Sequence, residues 1–337
     1  MIGHPDKPIT VQKMKKYLLF LIPLIVVSSC IKRPKTVENM WPSNIERNWI
    51  GSQFLSVQQK DWKLDSGKLI CVNTGSKKGV VVLTRQITNP IKGFEISFEA
   101  GLPPNMGNQY RQGMILGLEN PTTDSVDFSK GLFAGVASNG TLFLGKKSTT
   151  IKTSFGDRLI FDLEAIPLEN RKLHLLLRIR GGNKDNQLAE LTDDINPDLV
   201  KGLISFFVTG TAKGSKQNVI WFESLEINGD GVRYFPNNAR GPILKIDHKH
   251  VGDSLKITAF IAPVIIDNKS KVVLQTRHDG EWTTIEKAAI TPTYTVKFAI
   301  PYGAENEHLE YRIYTHYIDN YGTTKYQYVT RNKRDFK

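Results

Sequence analysis

Phe94-Glu-Ile-Ser-Phe-Glu-Ala100 alternates apolar and polar side chains without a break. A period of two places Phe94, Ile96, Phe98 and Ala100 on one face and Glu95, Ser97 and Glu99 on the other, the pattern of a strand with one dry and one wet face. Similar runs recur at Val80–Thr84, Met114–Leu118, Leu159–Ala165, Leu173–Ile179, Leu203–Val208 and Ile220–Ile227. Turn signals separate them. In Ser138-Asn-Gly-Thr141, between Leu132–Ala137 and Leu142–Leu144, Asn139-Gly140 suits a two-residue type I′ hairpin. The one helical candidate is a short turn around Asn196-Pro-Asp-Leu-Val200. Many strands without alternating helices predict an all-β fold built from antiparallel sheets.

A second block follows the turn-rich stretch from Asn228-Gly-Asp-Gly231 to Gly241-Pro242. Leu255, Ile257, Ala259 and Ile261 form the inner face of one strand, and Val272–Thr276 and Trp282–Ile285 flank a bend at Asp279-Gly280. Tyr294–Ile300, Tyr311–Tyr317 and Thr324–Thr330 complete the set. About seven short strands over roughly ninety residues fit an immunoglobulin or fibronectin III-like sandwich, although the Cys–Trp–Cys signature of antibody domains is absent. The first block, longer and strand-dense, reads as a concanavalin or laminin-G-like antiparallel sandwich. The expected organisation is therefore 1–29 signal, 30–48 tether, 49–230 first sandwich, 231–241 linker, 242–331 second sandwich and 332–337 the start of a further linker.

The N-terminus has another character. Lys13-Met-Lys-Lys16 precedes an apolar run from Tyr17 to Val27 and then Val27-Ser-Ser-Cys30. A basic segment, an apolar stretch too short to span a bilayer and small residues before a cut site make a secretory signal, and the Cys directly after Val-Ser-Ser resembles a bacterial lipobox. Cleavage before Cys30 and diacylation of its thiol would hold the protein on a membrane, because each buried methylene contributes about 0.8 kcal/mol. Residues 1–13 lack signal character, which places the expected translation start at Met14. Ile31-Lys32-Arg33 lacks an acidic surface-export run, so the anchor is expected to face the periplasm.

Composition narrows the function classes. The 337 residues are 40% hydrophobic and 23% charged, with a formal net charge of +12. Lys and Arg are spread over most hairpins instead of clustering beside aromatics, so nucleic acid is not an expected partner. Anionic headgroups or acidic glycans suit the charge better, and a scattered solvated surface also accounts for it. With Cys30 acylated, Cys71 has no partner, which leaves no disulfide framework; its apolar neighbours make it an inert strand residue.

Few motifs carry chemistry. His248-Lys-His250 sets two imidazoles on one face of a strand, but no Cys or carboxylate cluster accompanies them. Paired acids could hydrolyse glycosidic bonds across about 5 Å. Glu223 and Glu226 in Phe222-Glu-Ser-Leu-Glu226 are three apart and so should face opposite sides of a strand, while Glu95 and Glu99 read as a solvated face. Gly131-Leu-Phe-Ala-Gly135 lacks the Ser of a nucleophile elbow, and Asn228-Gly-Asp-Gly231 lacks the bidentate Glu of a calcium loop. Trp62 and Trp282 are the candidate sugar-stacking residues.

Several strings share an order with a known family: Trp49-Ile-Gly-Ser-Gln-Phe54, Asp61-Trp-Lys-Leu64, Gly67-Lys-Leu-Ile-Cys71, Val81-Val-Leu-Thr84, Gly131-Leu-Phe-Ala-Gly-Val136, Gly140-Thr-Leu-Phe-Leu-Gly145 and Gly241-Pro-Ile-Leu244. With Leu255–Ala262, Asp279-Gly-Glu-Trp282 and Tyr311-Arg-Ile-Tyr314 they resemble the N-terminal, non-catalytic region of PhoD-like (alkaline phosphatase D-like) metallophosphatases of Bacteroidetes and Planctomycetes. The resemblance implies a sandwich, a fibronectin-like domain and then a metallophosphatase domain holding a two-metal centre. The catalytic motifs of that last domain, G-D-x-x-Y and G-N-H-[D/E], are not in this sequence, so no catalytic residue and no metal ligand is carried over. Arg331-Asn-Lys-Arg-Asp335 stands where the linker to it would lie. The expectation is a membrane-anchored accessory lipoprotein that binds glycan or packs on a phosphatase domain and uses no cofactor of its own. The alternative is part of a phosphoester hydrolase whose catalytic domain is truncated or separately encoded.

Overall fold

The computed structural model describes residues 41, 43, 46–56, 58–73, 77–101, 110–120, 126–151, 157–182, 186–210, 220–264, 271–301, 310–318 and 324–332. The signal segment, Cys30 and the last residues of the chain lie outside the described residues. Every named strand pairs antiparallel, and no α-helix occurs among the described residues. The strands are β1 (Phe54–Ser56), β2 (Trp62–Asp65), β3 (Lys68–Cys71), β4 (Lys78–Ile87), β5 (Phe94–Gly101), β6 (Arg111–Leu118), β7 (Leu132–Ala137) and β8 (Thr141–Leu144). They continue with β9 (Lys147–Thr150), β10 (Arg158–Pro167), β11 (Leu173–Gly181), β12 (Gln187–Ile195), β13 (Gly202–Thr209), β14 (Ile220–Asn228) and β15 (Val232–Tyr234).

These fifteen make two sheets. One has the order β1-β4-β13-β6-β7-β8-β9 with β15 added on β4; the other has the order β12-β11-β10-β5-β14-β3-β2. Their inner faces share one core. Phe98 and Phe161 stack at 4.7 Å within the seven-stranded sheet, and Phe206 of the facing sheet meets Phe98 edge-on at 5.3 Å. Burying each such ring stabilises the fold by about 1.5–3 kcal/mol. β4 is apolar on consecutive positions because both of its faces are covered: Val80 and Val82 enter the main core, while Val81 and Leu83 join Ile115 and Phe207 on the opposite face, under Phe128 and Phe133.

The second sandwich uses β16 (Ile243–Val251), β17 (Ser254–Ile261), β18 (Lys271–His278), β19 (Glu281–Ala289), β20 (Thr295–Pro301), β21 (Glu310–Ile318) and β22 (Thr324–Asn332). β16-β17-β20 form a three-stranded sheet and β19-β18-β21-β22 a four-stranded one. Ile257, Val272, Phe298, Tyr311 and Ile313 fill a core of their own.

Two hairpins sort by backbone. At Asp279 (φ 49) and Gly280 (φ 87) both central residues are left-handed, as a type I′ turn requires. At Asn139-Gly140 only Gly140 (φ 82) is, so the expected type I′ turn is not formed. Gly140 N–H instead donates to Ala137 O at 3.0 Å and Asn139 Oδ1 caps Thr141 N–H at 3.0 Å, a three-residue loop closed by one left-handed glycine. The Asn196–Val200 turn is a 3-10 helix over Pro197–Val200, its Asn196 side chain accepting from Asp198 N–H.

Candidate functional site

The outer face of the seven-stranded sheet is a lattice of polar side chains fixed by strand register. β10 pairs with β5, β5 with β14, and β14 with β3, so Arg158, Gly101, Trp221 and Ile70 lie in one cross-strand row. The next row holds Arg180, Ile160, Glu99 and Glu223, and the one after it Arg178, Asp162, Ser97 and Glu226. Directly opposed side chains in such rows stand about 5 Å apart, close enough for every polar pair to interact.

A bulge in β14 decides the composition of this face. The register shifts between Glu223 and Glu226, and Ser224 sits there in a left-handed conformation (φ 54). Ser224 is the extra residue: Phe222, Leu225 and Ile227 remain in the core, while Glu223 and Glu226 both point outward. The expectation from spacing, that these two acids face opposite sides, is therefore corrected; it assumed unbroken alternation.

Glu99 and Glu223, with side chains 13% and 16% exposed, are bridged by one guanidinium. Arg158 binds Glu99 through two of its nitrogens and reaches Glu223 Oε1 at 3.0 Å. Asp162 takes the Ser97 hydroxyl at 2.9 Å and the Arg180 Nε–H at 2.7 Å, and Arg178 spans Glu164 and Glu190. The strip is more ordered than a merely solvated face. With Arg158 engaged by both carboxylates, the three side chains form a cross-linked acceptor–donor cluster in which two acids share one cation.

Trp221 lies beside this cluster. A Cβ on Gly101 would fall 1.9 Å from the indole Nε1 and 2.1 Å from Cε2, so the five-membered ring occupies the space that the glycine leaves open. Lys68 Nζ stands 4.2 Å from the ring centroid. The ring is half-buried under Lys68, and Arg158, Glu99 and Glu223 hold positions in its own and the next cross-strand row. Sequence reasoning passed over it, although a signal existed: Ile220 and Phe222 both belong to a core face, so the residue between them must point away.

The two tryptophans singled out from the sequence are placed otherwise and are not brought together. Trp62 is 1% exposed and packs 6.3 Å from Phe222, so it has no ring face open to a sugar, and the stacking role expected of it is corrected. Trp282, on β19 of the second sandwich, is half-buried under the Arg312 guanidinium at 4.3 Å, with Arg277 at 5.8 Å. His248 and His250 share one face of β16, and among the described residues no group of three or more His, Cys, Asp or Glu is arranged to hold a metal ion. Cys71 is buried and unpaired, and burial pushes its thiol up to about 12.

No protein-family model matches the chain, and no curated protein matches it. Among solved structures it is similar to lectin II from Ulex europaeus, with a TM-score of 0.36 and 11% identity over 52% of this chain and 92% of that one. The winged bean acidic lectin complexed with methyl-α-D-galactose has a TM-score of 0.35 and 10% identity, over 56% of this chain and 98% of that one. The marine PL-14 alginate lyase from Aplysia kurodai has a TM-score of 0.32 and 9% identity, over 48% and 82%.

Proposed function

We propose that the chain is a glycan-binding module whose platform is the outer face of the seven-stranded sheet around Trp221. The observation that carries this reading is a half-buried indole resting on Gly101 beside the Glu99–Arg158–Glu223 cluster. A sugar ring needs an aromatic face and flanking donors and acceptors held in fixed geometry, and strand register supplies both. Lys68 covers the ring with a flexible stem, and an exposed cation–π contact contributes only about 0.5–1 kcal/mol, so a sugar can displace it. Carboxylates outnumber cations on this face, which disfavours polyanions and favours neutral polysaccharides. Affinity electrophoresis in gels containing neutral polysaccharides tests the reading. The native chain is retarded by at least one of them, and Trp221→Ala loses that retardation while Trp282→Ala keeps it. A native chain that no neutral polysaccharide retards rules the platform out.

The ordered strings shared with PhoD-like proteins favour a second, compatible reading. In it a concanavalin-like sandwich and a fibronectin III-like sandwich form the accessory part of a metallophosphatase system, held at a periplasm-facing membrane by acyl chains on Cys30. Protein isolated from the membranes of its host tests both halves: an N-terminal peptide beginning at diacylated Cys30, and metal-dependent phosphatase activity that co-purifies. An unprocessed N-terminus removes the anchor, and purified membranes without such activity remove the phosphatase association.

A further inference from the structure

A cleft of about 240 Å³ opens on the first sandwich, away from the polar sheet face, between the start of β4 and the loop carrying Val126–Ser129. Lys78, which lines it, is one half of a buried ion pair. Lys78 is 8% exposed and Asp61 1%, and the ammonium binds both the Asp61 carboxylate and Gln58 Oε1. Asn73 donates to the other Asp61 oxygen at 3.0 Å, so the carboxylate is fully engaged. A charge pair this deep persists only when its remaining valences are satisfied, because desolvating each ion costs several kcal/mol.

The donors are not all satisfied. Trp62 lines the cleft, and its indole Nε1–H is buried without an acceptor. Lys78 has given two of its three hydrogens. Ser56, 4% exposed and also lining the cleft, accepts from Gln58 N–H at 3.3 Å and keeps its own hydroxyl hydrogen to donate. Of the acceptors, Gln58 Oε1 takes Lys78, and one oxygen of the exposed Asp127 carboxylate at the mouth, Oδ1, takes both the backbone N–H and the hydroxyl of Ser129. Lys77 stands at the mouth as a further cation. Phe128, lying against Gly79, makes an apolar wall. The unspent donors are buried, whereas the Asp127 carboxylate lies exposed at the mouth, so the interior calls for a ligand that brings acceptors, since a buried donor left unmade costs about 1–3 kcal/mol.

The geometry points to a binding site for a small oxyanion, a carboxylate or phosphate group seated on the Trp62, Lys78 and Ser56 hydrogens with its carbon portion against Phe128. This site is separate from the Trp221 platform and stands or falls independently of it. The test follows the indole N–H signals of the five tryptophans of the full 337-residue chain by nitrogen-15 NMR, with the Trp62 signal identified by its loss in Trp62→Phe. Sodium acetate and inorganic phosphate are titrated separately, each against sodium chloride at equal ionic strength. The expected result is a saturable shift of the Trp62 signal with one or both oxyanions, and acetate alone or phosphate alone identifies the group that the site prefers. Ser56→Ala weakens the midpoint about tenfold, as loss of one charge-assisted hydrogen bond would. No saturable shift with either anion, or a shift that chloride reproduces or that Ser56→Ala leaves unchanged, overturns the proposal and leaves water as the partner of these donors.

Discussion

The Cys71 thiol faces the core at the end of β3, with Asn73 O 3.7 Å from its sulfur. Burial, more than any neighbouring charge, raises it from the ordinary thiol value of 9.0 to about 12. The consequence for stability has a definite sign. Between those two values the folded chain keeps a proton that the unfolded chain has lost, so this stabilisation is complete below pH 9.0 and is lost as pH rises towards about 12. Cys71→Ala removes the effect at the cost of a small cavity. Urea unfolding of both proteins is expected to show the native chain ahead at pH 8, with its lead shrinking by up to about 1.4 kcal/mol per pH unit above pH 9. A lead that stays constant from pH 8 to pH 11 would show that the thiol ionises as readily folded as unfolded.

At the scale of strands and turns, what could be read from the sequence was whatever a period of two controls. β5, β10, β11 and β14 stand where alternation placed them, with an apolar set inward. β6 and β13, also placed by their apolar runs, are buried on both faces, with Ile115, Leu203 and Phe207 on the side away from the main core. β12 was missed because it is an edge strand: Leu188, Ala189 and Leu191 are only partly buried, so the polar set of Gln187–Ile195 has no sharp apolar counterpart. The Ser224 bulge was missed for a related reason, since one inserted residue breaks the period on which the reading depends. That single residue brings Glu226 onto the same face as Glu223. The two Gly hairpins differ for a third reason. Asp279-Gly280 and Asn139-Gly140 look alike as dipeptides, yet a three-residue loop at the second spares Asn139 the left-handed conformation. The candidate site itself was least legible. Lys68, Glu99, Arg158 and Trp221 meet through pairing across four strands, and no local window of the sequence contains that pairing.

At the scale of the molecule, the two sandwiches bury separate cores. Phe98, Phe161, Phe206 and Phe222 anchor the first, and Ile257, Leu274, Phe298 and Tyr311 the second, with no residue common to both. The connection is short and bound to the first sandwich: Arg240 N–H donates to Ser52 O at 2.8 Å, and a Cβ on Gly241 would approach the Trp49 ring at 3.3 Å. Cooperativity follows shared burial, so each core is expected to unfold as its own unit and the chain to depart from a single two-state transition. Truncating a buried Phe to Ala costs about 3–5 kcal/mol, and costs at sites without shared partners add without coupling. Phe98→Ala is therefore expected to lower one calorimetric transition of the full chain and Phe298→Ala the other, each leaving its counterpart in place. If either substitution lowers both transitions together, the sandwiches are one thermodynamic unit, and a ligand on the Trp221 face would then stabilise the second sandwich as much as the first.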